Sequence, residues 1–221
     1  MFYEPGHSPS GLPFNPFKAC CVPRPIGWVS TTARDGVHNL APYSQFQNVS
    51  YDPPMIMIAA QCRADGTPKD TVRNALDTGE LVWNMATYDL RAEVVGSSRD
   101  LPPEVDEFAH LGIPSLPSRL VKPLRVAASP VQFECRLKQS LYLPCNTPEA
   151  NTWMLIAEVV GVHIDEAALT PDGRIDTARI RPLARLGYRD YTYVDKSFEL
   201  SEFTGRADAS VAFLTESSEG Q

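Results

Sequence analysis

This chain of 221 residues carries few of the common catalytic or metal-binding signatures. It has no C-x-x-C pair and no H-x-x-x-H or H-E-x-x-H spacing, so neither a cysteine zinc site nor a helix-borne pair of imidazoles is expected. It also has no G-x-S-x-G, no P-loop and no G-x-G-x-x-G, which removes the usual warrant for a hydrolase, an NTPase or a Rossmann dehydrogenase. No apolar run is long enough to span a bilayer, and the opening MFYEPGHSPSGLPF lacks the basic and continuous apolar regions of a secretion signal. A cytoplasmic protein with no membrane partner is expected. Lys and Arg are not clustered, and a net charge of -7 with a pI near 5.1 offers no surface for tracking nucleic-acid phosphates. The cysteines, Cys20, Cys21, Cys62, Cys135 and Cys145, are odd in number, and a bridge between neighbours would be strained, so reduced, buried thiols are expected.

What is present is a β-rich pattern. A hydrophobic content of 43% over 221 residues suffices for one sizeable core. One domain is expected over 18–200, after a Pro-, Gly- and Ser-rich arm at 1–17 and before a polar tail at 201–221 that frays. IGWVSTTA and HNLAPYSQFQNVS flank Asp35-Gly36, a dipeptide suited to a hairpin turn. PPMIMIAAQC, ELVWNMAT, LVKPLRVAAS, PVQFECRLKQSLYL and NTWMLIAEVVGVHID read as further strands, the last of them central. Short helices are expected in TPKDTVRNALDTG, capped by Asp70 or Thr71 and ended by Gly79, and in DLRAEVVGSS and PPEVDEFAHLG. The stretch LTPDGRIDTARIRPLARLGYRDYTYVDKSFEL reads as irregular, with short strands or helical turns. Because regular helices do not separate the strands, the fold class is mainly β (α+β), an antiparallel barrel with a few flanking helices.

The first hairpin carries small polar groups where a core strand would carry branched apolar ones. With a two-residue turn at Asp35-Gly36, Thr32 faces Asn39, Ser30 faces Ala41 and Trp28 faces Tyr43, and a one-residue slip would exchange the sets. Pro42 cannot donate to a ladder, so its strand is expected at an edge or bulged, leaving backbone groups for a ligand. The plain alternative is a solvated edge whose hydroxyls face water. Lys69, with Asp70 and Thr71 at the start of a helix, combines a mobile cation, a hydroxyl and free N–H groups that suit a phosphate monoester; an ordinary capped helix with an exposed lysine is the bland reading. Arg185, Gly187 and Tyr191 place a guanidinium and an aromatic ring near one site or on a surface turn. Asn48 either caps a strand end or meets a ligand edge. Glu158, inside an apolar run, needs a partner or an exposed face. His163 is expected as structural and His38 as exposed.

The ordered fragments RPIGWVST, DGVHNLAPYSQF, DPPMIMIA, KDTVRN, LVWNMA, VDEF, SPVQFECRL, IAEVVGVHID and RLGYRDY resemble the flavin reductase-like family of FMN-binding split-barrel proteins, over roughly residues 18 to 200. The resemblance implies a six-stranded antiparallel split barrel with Greek-key connections, usually a homodimer with flavin sites at or near the subunit interface. It implies FMN, or sometimes FAD, as cofactor, NADH or NADPH as hydride donor, and in some members a partner monooxygenase that receives reduced flavin. Ser30, Thr31 and Thr32 match the family's V-S-T strand and Lys69, Asp70 and Thr71 its K-D-T motif, both near the ribityl phosphate. Ala41, Pro42, Tyr43 and Ser44 match the segment beside the isoalloxazine, with Asn48 just beyond. Some reductases of the group carry a histidine where this chain has Asn151, Thr152 and Trp153, and Ala157 and Tyr188 stand where glycines are common.

Three functions follow as expectations: an NAD(P)H-dependent flavin reductase; an FMN-binding protein or electron carrier without reductase turnover, motivated by the missing histidine; and a ligand-free dimerisation barrel. Hydride transfer on a flavin needs orientation and electrostatics from the protein and no acid–base pair, so no catalytic side chain is expected.

Overall fold

The computed structural model of the chain describes residues 1–198 apart from 6, 9, 148 and 149, so the expected tail at 201–221 and the end of the expected domain lie outside the described residues. One helical turn, α1 (Phe17–Cys20), and β1 (Arg24–Pro25) lead into β2 (Gly27–Thr32), β3 (His38–Tyr43), β4 (Phe46–Tyr51) and β5 (Pro54–Gln61). Then come α2 (Asp70–Thr78), β6 (Glu80–Met85), α3 (Arg91–Gly96), α4 (Glu107–Leu111), β7 (Ser115–Leu116) and β8 (Arg125–Val126). The long pair β9 (Val131–Leu143) and β10 (Thr152–Ile164) is followed by α5 (Thr177–Ile180), β11 (Leu183–Arg185) and β12 (Tyr191–Tyr193).

Seven strands form one sheet in the order β3-β2-β6-β9-β10-β5-β4, every pair antiparallel. Strands β3 and β4 are its opposite edges, yet only Ser44 and Gln45 separate them in the chain. Three Cα steps reach about 11 Å at most. The sheet therefore curls until its edges meet at this corner, where the Ala59 N–H donates to Gln45 O at 2.8 Å. The architecture is the expected split barrel, with one strand more than six: HNLAPYSQFQNVS breaks at the corner and supplies one strand to each edge. Pro42 does lie on an edge strand, and β10 is internal, beside the middle strand β9.

Strand β2 is buried at every position. Val29 points into the barrel core with Tyr43, Ile58, Trp83 and Leu155, which Val72 and Ala75 of α2 complete. Trp28 points the other way, into a second cluster with Leu40, Val94, Phe108 and Val126. Burying one such aliphatic side chain contributes about 1.5–3 kcal/mol, so β2 is sandwiched by two favourable faces. Helix α2 exists because Val72 and Ala75 share a face, and it stops at Gly79, whose φ of 72° lets its N–H turn back to Ala75 O.

The hairpin register differs from the expected one. Trp28 faces Pro42, Ser30 faces Leu40 and Thr32 faces His38. The Ala33 N–H donates to Val37 O at 2.8 Å and the Gly36 N–H to Ala33 O at 3.0 Å, so the loop is the three residues Arg34, Asp35 and Gly36. A type I turn closed by a glycine at positive φ, here 95°, is the usual three-residue hairpin solution. The slip leaves the faces of β2 in place and exchanges those of β3.

Other expectations also change. LVKPLRVAAS forms only the two-residue β8, because the N–H groups of Arg119, Leu120 and Val121 go to the Glu134 carboxylate, that of Lys122 goes to Glu80, and Pro123 has none. Cys62 and Cys135 are buried, whereas Cys20, Cys21 and Cys145 are exposed, and all five are free thiols. His38 is half-buried against the Thr32 hydroxyl at 3.0 Å. From the expected arm at 1–17 the Phe14 ring reaches Tyr188, with centroids 5.7 Å apart; just after it Arg24 pairs with Arg185 across β1 and β11, and Gly187 packs so closely on Ala19 that a Cβ there would lie 2.3 Å from the Ala19 Cβ.

Candidate functional site

The edge strand β3, the start of α2, the start of α4 and the loop after α3 meet at a narrow cleft. Six of the residues singled out in the sequence, Ala41, Pro42, Tyr43, Lys69, Asp70 and Thr71, line it together. Lys69 is the last extended residue before α2, with φ -63° and ψ 158°, and no side chain caps the helix; neither Asp70 nor Thr71 takes the capping position expected for it. The N–H groups of the first turn therefore have no intrahelical partner and carry the positive end of the helix dipole. Among the described residues Lys69 meets no carboxylate, while Asp70 is held by Arg63 and, at 2.7 Å, by Arg73.

Thr71 is buried, and its hydroxyl donates to Asn39 Oδ1 at 2.6 Å. The Asn39 amide donates to both carboxylate oxygens of Glu107 at 3.1 Å, and the Leu40 N–H, on the open edge of β3, donates to the same carboxylate at 3.0 Å. Burial pushes the Glu107 carboxyl above its ordinary pKa, and these bonds only partly offset it. Burial likewise pushes the Tyr43 phenol up to about 12, so it is neutral at working pH. The result is a rigid polar wall tying β3 to α2 and α4.

The remaining predicted residues are placed as follows. Ser30, Thr31 and Thr32 are buried and their hydroxyls are engaged within the protein: Ser30 donates to Leu124 O at 2.5 Å, Thr31 lies 3.4 Å from Asn39 Oδ1 and accepts from Asn74 at 3.2 Å, and Thr32 bonds His38. Ser44 is half-buried at the β3–β4 corner, and Asn48 is exposed at a register irregularity of β4. Arg185 and Tyr191 are brought to each other, the guanidinium 4.3 Å over the ring, but on the small sheet β1-β11-β12 and not among the residues lining the cleft. Glu158 has Lys138 at 2.5 Å, and His163 bonds Glu134, also at 2.5 Å.

Sequence reasoning passed over Asn39, Arg63, Asn74 and Glu107. Asn39 sits inside the quoted hairpin, but its partners are 32 and 68 residues away, so no local spacing marks it.

Residues 19–195 match the model of the family described as flavin reductase like domain. A protein of Aquifex aeolicus is 36% identical over 170 residues, 77% of this chain and 84% of the relative. Nitrilotriacetate monooxygenase component B from Bacillus cereus superposes with a TM-score of 0.82 at 28% identity, over 90% of this chain and 98% of that one. The Pseudomonas fluorescens 2-nitrobenzoate 2-nitroreductase NbaA superposes with a TM-score of 0.74 at 25% identity, over 88% of this chain and 92% of that one.

Proposed function

This chain belongs to the flavin reductase-like family, and from that premise we propose that it binds FMN, with FAD as the alternative flavin, and acts as an NAD(P)H:flavin oxidoreductase. The observation that carries the proposal is the meeting of Lys69, at the uncapped start of α2, with the edge segment Ala41-Pro42-Tyr43 in one cleft. The residues fit the cofactor: a lysine that meets no carboxylate among the described residues and a helix start suit a dianionic phosphate, and an open strand edge offers backbone groups to a flat heterocycle.

Lys69 and the first-turn N–H groups of α2 would hold the phosphate, and Ala41, Pro42, Tyr43 and Ser44 would border the ring system, with Asn48 beyond. Thr31 acts through Asn39 and Asn74, which fix β2 and β3 against α2; Ser30 and Thr32 brace the same strand. A bound flavin supplies the two-electron redox chemistry. The protein would orient it, with the neutral Tyr43 and the wall around Glu107 as the desolvated side of the cleft. We further propose that the chain works as a homodimer. The likeness to a monooxygenase component supports delivery of reduced flavin to a partner oxygenase.

The test is the absorbance spectrum of purified, FMN-reconstituted protein, followed by anaerobic addition of NADH and NADPH. Bleaching faster than that of free flavin is expected; its absence with both donors defeats the reductase reading. The second reading, an FMN carrier without turnover, rests on Asn151, Thr152 and Trp153 standing where some members carry a histidine, and would then hold if FMN still titrates tightly by fluorescence quenching. Lys69→Ala is expected to weaken FMN about tenfold and leave riboflavin unchanged, since the lost charge serves only the phosphate. Equal weakening of both would remove Lys69 from the phosphate.

A further inference from the structure

A second concavity, of about 340 Å³, lies between α3 and the small sheet. Its walls are Tyr88, Tyr191 and Tyr193, its apolar floor is Leu183 with Val95 at the rim, and Arg91 stands at its mouth. None of these residues lines the cleft at Lys69. The Tyr88 and Tyr193 rings pack 4.5 Å apart, tilted by 43°. The Arg91 guanidinium sits 4.2 Å over the Tyr88 ring and is fixed there by donating to Tyr88 O at 2.8 Å. Arg181 also approaches that ring, at 5.0 Å, but is paired with Asp89. Among the described residues Arg91 meets no carboxylate, so one pre-oriented guanidinium stands beside three aromatic rings with its charge uncompensated.

We propose that this pocket binds a planar aromatic anion, its ring packed among the tyrosines and its negative group on Arg91. Offset or edge-on packing on tyrosine faces rewards a flat ring. A guanidinium held on an aromatic face keeps its outer N–H donors for a carboxylate or phosphate. The volume suits a small ligand. The site goes beyond the flavin reading and gives Tyr191, which stands apart from Lys69, a ligand of its own. An aromatic carboxylate and an adenine nucleotide share this chemistry.

The experiment is calorimetric titration of the full chain at fixed ionic strength with benzoate and with 5′-AMP, against cyclohexanecarboxylate and benzyl alcohol. Benzoate, AMP or both are expected to bind at least tenfold more tightly than the two controls; benzoate alone identifies an aromatic acid, AMP alone a nucleotide. Arg91→Ala is expected to lower that affinity about tenfold. Val95→Glu, which brings a like charge to the rim, guards against a misfolded first variant and is expected to lower it as much. Lys69→Ala is expected to leave it unchanged, which separates this site from the flavin cleft. The proposal fails if neither probe binds, if either control matches them, or if binding survives Arg91→Ala and Val95→Glu undiminished; loss with Lys69→Ala would then move the ligand to the flavin cleft.

Discussion

Two regions of this protein each remove a glutamate from water, and they do so with opposite results. In the cleft, Glu107 accepts one backbone N–H and one amide group, and Asp70 adds a like charge nearby; burial prevails and its pKa is raised. On the far face of β9, Glu134 is fully buried but accepts the backbone N–H groups of Arg119 at 2.8 Å, Leu120 at 2.6 Å and Val121 at 3.2 Å, together with His163. There burial also pushes upward, yet the donors reverse it and the pKa falls below the ordinary value. Donors and nearby charge set the two signs apart: backbone N–H groups and His163 draw Glu134 down, while Glu107 has fewer donors and Asp70 beside it. Glu134 pins a loop that cannot pair as a strand. Glu107 closes a sheet edge where the candidate site needs a rigid wall.

The largest expected effect is that of Glu134→Ala, which takes the acceptor from His163 and from three backbone N–H groups, that of buried Val121 among them, and should cost about 3–5 kcal/mol in urea unfolding. Glu107→Ala should cost about 2 kcal/mol, since it strands one N–H and one amide, and should also weaken FMN in the same titration used for Lys69. If the second loss exceeds the first, donor number is not what separates the regions. The pH dependence has opposite signs. Glu134, with its pKa lowered on folding, should give wild type an advantage over Glu134→Gln that is present above the ordinary carboxylate pKa and fades as pH falls through the folded value. Glu107, with its pKa raised, should give wild type an advantage over Glu107→Gln that fades as pH rises from the ordinary carboxylate pKa through the folded value. Thermal unfolding across the acid range measures both slopes. The smallest effect, about 0.5 kcal/mol, is expected of Lys138→Ala, because the Lys138–Glu158 pair is partly exposed and solvent screens it.

The legible parts of the site were local. Lys69, Asp70 and Thr71 are adjacent, and a cation before a helix start carries its meaning in three residues. Pro42 announced an edge strand because a missing N–H is a property of the residue itself. Asn39 and Glu107 gave no sign, since an asparagine in a hairpin and a glutamate in a helix's first turn are ordinary until 68 residues of intervening chain bring them together. LVKPLRVAAS misled for the same reason: its apolar residues suggested a strand, while a carboxylate from β9 took the N–H groups at its start.

The sequence by itself determined most of the segments that extend, where α2 stops at Gly79, that β3 lies at an edge, and that a lysine stands just before a helix. Each follows from alternation, turn chemistry or the backbone of one residue. Only the tertiary structure decided the hairpin register, the division of HNLAPYSQFQNVS between two edges, and the opposite directions in which the pKa values of Glu107 and Glu134 move. Those outcomes depend on groups far apart in the chain being desolvated together once the sheet has curled closed.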